Sequence, residues 1–321
     1  MMARILRLVL ALQLLVVAAL CLVFARFWHI GRLAMALPLA LAIVIVARAL
    51  ITAHNFFLSW HYPSATPVQD WPPLWGRCRM FAEEFTASML GSSWTMAWPT
   101  VRSYIAADAC APSVLLIHGY GCNGGYWRQL SAVLRKARIS HDVIDLEPVA
   151  ASIDDYVPQV QCAVQRLCQE SGSSKIIIVG HSMGGLVARA YLRVHGSAHV
   201  ARVITLGTPH HGTGLASFGI GLNAMQMRRG APDAGGGAWL TTLADGEGAA
   251  QRALFTSIFS HHDNIIAPQT SCYLPGAKNI EFGGIGHVAL GRNRRILQCV
   301  LDEILLARAG AAQLDGTHAV S

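Results

Sequence analysis

Of 321 residues, 53% are hydrophobic and only 13% charged, with a mean hydropathy of +0.40, which is too apolar for an ordinary soluble domain and points to membrane segments. The net charge of +7 suits an anionic membrane surface, but the basic residues are scattered, which speaks against the clustered patch of a nucleic-acid-binding protein. Eight cysteines without a Cys-x-x-Cys pair argue against a zinc ribbon or a thioredoxin-like motif. Cys21 lies in an apolar run, so an odd number remains outside it, and buried free thiols are expected, on a reducing side.

The chain opens on two apolar runs. Residues 5–24 are interrupted by Arg7 and Gln13; residues 33–51 contain Pro38 and carry Arg48 near their end. Each is long enough to cross a hydrocarbon core of roughly 30 Å as a helix, with the arginines snorkelling at the ends. Trp28 and His29 fall in the connection, where interfacial residues belong. Residues 1–52 are therefore predicted to form a membrane hairpin. A cleaved signal peptide lacks a convincing small-x-small site before the second run. A lipid anchor on Cys21 would need a small residue where Leu20 stands. Arg4, Arg7 and Arg48 on the outer flanks, against Arg26 and Arg32 at the tip, favour both ends in the cytoplasm.

Residues 53–110 form a connecting segment with Trp60, Trp71, Trp75, Trp94 and Trp98, broken by prolines 63, 67, 72 and 73. Within it, residues 74–90 read as an amphipathic helix, with Met80, Phe81, Phe85 and Met89 on one side and Glu83 and Glu84 opposite. That helix either lies on a bilayer surface or packs on the following domain.

From residue 111 strands and helices alternate: strands over 113–117, 141–146, 175–179 and 200–206, helices over 127–137, 153–170 and 183–195. This predicts a mainly parallel sheet covered on both faces. Regularity fades in a Gly-rich, lid-like insert at about 212–250. It returns in strands at 254–259 and 279–282 and a helix at 294–309. Residues 310–321 read as a frayed tail.

Chemistry concentrates in Gly180-His181-Ser182-Met183-Gly184, between an apolar strand and a helix. A serine hydroxyl becomes a useful nucleophile when such a turn pushes it out of the sheet toward a base. Gly180 and Gly184 leave room for the turn. The base and its orienting carboxylate should follow in the order Ser, acid, His. Asp263 follows a strand, and His287 sits in a Gly-rich loop before the last helix. Among rivals, Asp245 and Glu247 read as solvated residues of the insert, and His261 and His262 have the wrong chain order. His181 reads as a packing or hydrogen-bonding residue, and His210 and His211 could line the pocket. The oxyanion donors are expected to be the amides of Met183 and of Tyr120, the latter just after the strand end at His118-Gly119.

Leu116-Ile117-His118-Gly119-Tyr120, Gly180-His181-Ser182-Met183-Gly184-Gly185, Leu206-Gly207-Thr208-Pro209-His210-His211-Gly212, Asp263-Asn264-Ile265-Ile266 and Gly286-His287 together resemble the α/β-hydrolase superfamily, more narrowly bacterial triacylglycerol lipases and esterases. The resemblance covers residues 111–309 and implies an α/β-hydrolase fold with Ser182 as nucleophile, Asp263 as acid and His287 as base. The added hairpin departs from the family's secreted members. No calcium site is carried over, and no cofactor or metal is expected. The expected activity is membrane-anchored hydrolysis of lipidic acyl esters, with the ester substrate and the bilayer as partners. A thioesterase or acyltransferase could use the same triad, and a non-catalytic membrane scaffold could use the same fold. Two spans are too few for a transporter.

Overall fold

The computed structural model describes residues 1–27, 33–62, 64–67, 71–106, 111–230 and 237–318. The expectations for Trp28, His29, Arg32, Pro63, Cys110 and part of the insert fall outside them. The first helices are α1 (Met2–Phe27) and α2 (Leu33–Ser59). They pack through Val17, Leu20 and Cys21 against Ala36, Ala40 and Val44. The two alanines, four apart, let the backbones approach, as small residues do between membrane helices. Leu8, Leu12, Leu15, Leu22, Leu50 and Ile51 point outward. Both helices are long and apolar enough to cross a membrane.

Arg48 does not snorkel as expected. Its guanidinium donates to Gln13 Oε1 at 3.3 Å, to Ser93 Oγ at 2.9 Å and to Ser92 Oγ. Ser92 and Ser93 belong to a π-helical turn, Gly91–Thr95, that ends α3 (Leu74–Leu90). A guanidinium half out of water needs such acceptors, and three side chains supply them. Arg48, a polar interruption of the hairpin's apolar surface, thus fastens it to the rest of the chain, while Gln13 ties it to α1.

The α3 helix packs on the following domain, which decides between its two readings. Met80, Glu84 and Ala87 are its buried residues, so the inward face combines Met80 of the apolar side with Glu84 of the acidic one. Phe81 meets Phe56 of α2, ring centroids 6.3 Å apart.

The domain is a six-stranded parallel sheet of β1 (Ser113–Ile117), β2 (His141–Ile144), β3 (Ile176–His181), β4 (Val200–Leu206), β5 (Phe255–Ser260) and β6 (Lys278–Phe282), in the order β2-β1-β3-β4-β5-β6. The strands of the middle are buried on both faces, hence the continuous apolar runs. Leu115, Ile117, Ile176 and Ile178 point to one face, under α5 (Val157–Ser171) and α6 (Met183–His195). Val114, Leu116, Ile177 and Val179 point to the other, under α4 (Arg128–Lys136) and the last helix. Strand order reverses between β1 and β3, and the crevice beyond their carboxyl ends is where open α/β sheets place ligands.

Most expected boundaries hold to within a few residues. The β2 strand stops early because the Leu146 amide leaves the sheet to donate to His118 Nε2 at 3.0 Å. The α5 helix starts late, behind a 3-10 turn at Asp154–Tyr156, with Pro158 in its first turn. Among the described residues the insert carries three short α-helices, α7 (Leu222–Gln226), α8 (Ala238–Asp245) and α9 (Ala249–Arg252). Of the expected tail, residues 310–318 continue α10, which runs Arg294–His318, as its alanines favour.

Candidate active site

Ser182 stands between β3 and α6 with φ 53° and ψ −123°, a conformation costing a non-glycine residue about 1–3 kcal/mol. The surroundings hold it there. The Ser182 amide donates to Leu206 O at 2.8 Å, and the Ser182 carbonyl accepts from the Gly185 amide at 3.1 Å and from Thr208 Oγ1 at 2.9 Å. The Gly-Thr-Pro motif after β4 thus braces the serine, a role its residue types did not disclose. A Cβ at Gly180 would lie 2.7 Å from the Gly184 backbone, and one at Gly184 would strike the Ile117 carbonyl. Both glycines are therefore fixed by the turn, as expected.

Asp263 and His287 meet at the carboxyl ends of β5 and β6. His287 Nδ1 donates to Asp263 Oδ2 at 2.7 Å, and Asp263 is fully buried. The other Asp263 oxygen accepts the amides of Ile265 at 2.8 Å and Ile266 at 2.7 Å, so the carboxylate is satisfied and immobile. With Nδ1 occupied, His287 Nε2 is left for a proton from elsewhere. Asn264 Oδ1 accepts the His287 amide at 3.0 Å. The imidazole of His181, next to the serine, lies 4.6 Å from that of His287, centroid to centroid, and its Nε2 contacts the His287 carbonyl at 3.3 Å. His181 is thus the packing and hydrogen-bonding residue it was expected to be. Among the described residues the Ser182 hydroxyl makes no hydrogen bond to His287; in unliganded enzymes this contact is commonly long and tightens with substrate.

Behind His287 lies a residue that sequence reasoning missed. Glu84 of α3 is buried, and its two oxygens accept the amides of Val288 at 3.1 Å and Ala289 at 2.8 Å. These open the 3-10 helix Val288–Gly291, whose first amides would otherwise be unpaired. A Cβ on Gly286 would lie 2.5 Å from Glu84 Oε2, so the glycine before His287 is needed for this approach. Glu84 had read as solvent-facing because its partners stand some 200 positions away.

The expected oxyanion donors flank Ser182. Among the described residues neither the Met183 amide, first in α6, nor the Tyr120 amide donates a backbone hydrogen bond, so both are available to a substrate oxygen. His118 shapes the Tyr120 loop. Its Nε2 accepts the Leu146 amide, so its Nδ1 carries the proton and donates to Gly119 O at 2.9 Å. Burial lowers the pKa of this ring, consistent with a neutral tautomer. A Cβ on Gly119 would stand 2.9 Å from Ser182 Cβ. The Tyr120 side chain does something unforeseen: its hydroxyl donates to Ile220 O at 2.9 Å and accepts the Ile220 amide at 3.0 Å, latching the insert over the site. The cleft at Ser182, about 260 Å³, is walled by Leu215, Phe218, Met227 and Ile265 and also by Asn55 and Leu58 of α2. The second hairpin helix is part of the cleft.

Three readings are corrected. Glu247 is not solvated: it forms a bidentate pair with Arg189 of α6, at 2.6 and 2.8 Å, with both side chains fully buried. Asp245 is exposed as expected. His210 and His211 do not line the serine cleft. His210 is buried near Thr205, its carbonyl accepting from Arg189 at 3.0 Å, and His211 contacts Tyr273 O at 3.1 Å. His261 pairs with Glu281 at 2.6 Å. Among the described residues no group of His, Cys, Asp and Glu is placed to hold a metal ion.

Burial disfavours the imidazolium of His287, but the Asp263 charge, the hydrogen bond to it and the Glu84 charge together outweigh burial and raise its pKa above the usual 6.5. For His287 acting as base, the neutral ring is the active form, so kcat/KM is expected to rise with pH through a midpoint above 6.5. Burial raises the pKa of Glu84 itself, so its charge supports the imidazolium only once it has ionised; Glu84→Gln removes that charge, and the midpoint should move to lower pH. A pH–rate profile of the two proteins checks both statements.

The family described as the alpha/beta hydrolase fold matches residues 112–244. The chain is 38% identical over 127 residues to a triacylglycerol lipase of Burkholderia plantarii, covering 36% of this chain and 35% of that protein. It is 32% identical over 97 residues to a pimeloyl-[acyl-carrier protein] methyl ester esterase of Vibrio atlanticus (strain LGP32), covering 30% and 36%. It therefore spans only about a third of the length of these relatives. Among solved structures, Bacillus licheniformis lipase BlEst2 in mature form superposes with a TM-score of 0.53 at 17% identity, over 64% of this chain and 95% of that one. At that identity the likeness is one of fold.

Proposed function

We propose that this member of the α/β-hydrolase superfamily is a membrane-anchored serine hydrolase that cleaves carboxylic esters of lipidic acyl groups through an acyl-enzyme. The observation that carries this reading is the braced, strained Ser182 at the strand-order switch point, beside a His287 whose Nδ1 is held by a buried Asp263. The named activities of the similar lipase and esterase add support. In the proposed cycle His287 Nε2 takes the Ser182 proton as the hydroxyl oxygen attacks the ester carbonyl. The carbonyl oxygen gains charge between the Met183 and Tyr120 amides. His287 then protonates the leaving alcohol, and water, deprotonated by the same ring, releases the acid and restores Ser182.

The membrane part rests on the outward apolar surface of α1 and α2 and on α2 walling the cleft with Asn55 and Leu58. A substrate held in the bilayer would meet the serine beside the helix that anchors the enzyme. The arginine distribution favours a catalytic domain on the cytoplasmic side of a bacterial inner membrane. Spheroplasts treated with a fluorophosphonate probe, with and without permeabilisation, test nucleophile and sidedness together. Labelling that depends on Ser182 and on permeabilisation is expected. Wild-type protein labelled no more than Ser182→Ala would overturn the hydrolase reading.

A further inference from the structure

We propose that a second cavity, between the foot of the hairpin and the acid loop, binds one long hydrocarbon chain bearing an anionic head, a fatty carboxylate. The cavity encloses about 560 Å³, within the ~300–1,000 Å³ common for small-molecule sites. It shares no lining residue with the serine cleft. The last turns of α2 separate the two: Asn55 and Leu58 face the serine, while Phe56 and Trp60 face the second cavity.

Its walls expose mostly hydrocarbon, from Phe56 of α2, Trp60 just beyond it, Trp71 of the connecting segment, and Met80 and Phe81 of α3. Several polar groups in the walls are already served, and His261 and His262 also line the cavity. Ser59 Oγ donates to Phe56 O at 2.8 Å, and Ser64 Oγ donates to Gln269 Oε1 at 2.8 Å. Asp263 is spent on His287 and two amides. The surface the cavity offers is mostly apolar, which favours hydrocarbon contact. One residue sets the head: Arg77, exposed, with its guanidinium 5.4 Å above the Trp71 ring. A cation at the rim of an apolar cavity favours an anionic amphiphile. Trp60 and Trp71 are 71% and 56% exposed, on the segment that leaves the hairpin; with the hairpin inserted as proposed above, a chain would enter past them from the bilayer. Asp263 forms part of the floor, so a bound chain would press on the loop that orients His287.

The inference is independent of ester hydrolysis: loss of fluorophosphonate labelling would remove that reading and leave this one. The test uses the full chain in nonionic detergent with a hexadecanoic-acid photoprobe carrying a diazirine in mid-chain, and the matching fatty alcohol. Peptide mass spectrometry should place the acid probe within residues 53–81. Met80→Trp, which narrows the cavity from the α3 wall, should cut that labelling about tenfold while Ser182 still reacts with the fluorophosphonate. Arg77→Gln should remove the preference for acid over alcohol. Labelling of the wild-type protein confined to residues 213–227, or equal capture of acid and alcohol, would overturn the proposal, and either is read without any variant. So would labelling undiminished in Met80→Trp.

Discussion

Asp263→Asn is expected to lower kcat toward a p-nitrophenyl acyl ester about 10⁴-fold, with the fold intact. The reason lies in hydrogen-bond polarity. Asp263 Oδ1 accepts two amides, so an asparagine oxygen takes that place and its NH₂ turns toward His287. Two donors then face each other where a 2.7 Å hydrogen bond stood. The ring escapes by moving its proton to Nε2, the atom that has to accept from Ser182. The position is buried and the volumes match, so circular dichroism and the thermal midpoint should change little beside the rate. A loss below about tenfold would show that His287 does not depend on this carboxylate for its tautomer.

Arg189→Met is the second large effect, and it falls on stability. Arg189 is fully enclosed and gives two hydrogen bonds to the equally enclosed Glu247 and one to the His210 carbonyl. Removing the cation leaves a buried carboxylate with only Arg252, 3.4 Å away. Breaking such a pair costs about 3–5 kcal/mol, on the order of 10 °C in Tm for a domain of this size. The double variant Arg189→Met/Glu247→Leu should recover most of the loss, since an apolar pair of similar volume escapes the desolvation cost. Thermal unfolding of the three proteins checks this. A single variant as stable as the wild type would mean that water reaches Glu247.

The strands and the serine turn were legible because their signals are local: an apolar run of strand length, two glycines around a serine, a helix behind. Asp263 and His287 were legible through chain order and loop position. What escaped notice was polar residues whose meaning depends on a distant partner. Glu84 sits on the polar side of an amphipathic helix, and periodicity sends such a residue to water; it instead caps the turn after His287. Glu247 sits in a Gly-rich insert, and nothing nearby announces Arg189. Arg48 looked like a residue at the end of a span, yet its acceptors lie on α1 and beyond α3. The Tyr120 backbone was singled out, while the hydroxyl that holds Ile220 has no signature in composition or spacing.

The Arg48 attachment sets how deep this protein would ride. From Gln13 to Phe27 the first helix rises about 21 Å, and from Leu33 to Arg48 the second rises about 22 Å, at 1.5 Å per residue. Among the described residues only that length lies beyond the point where the hairpin is pinned to the Gly91–Thr95 turn. It falls short of a hydrocarbon slab of about 30 Å. An inserted hairpin would therefore draw the domain down until the turn itself met the acyl region, bringing exposed Trp94 and Trp98 to the headgroups. The enzyme would be half-immersed like a hull, with its waterline fixed by one guanidinium.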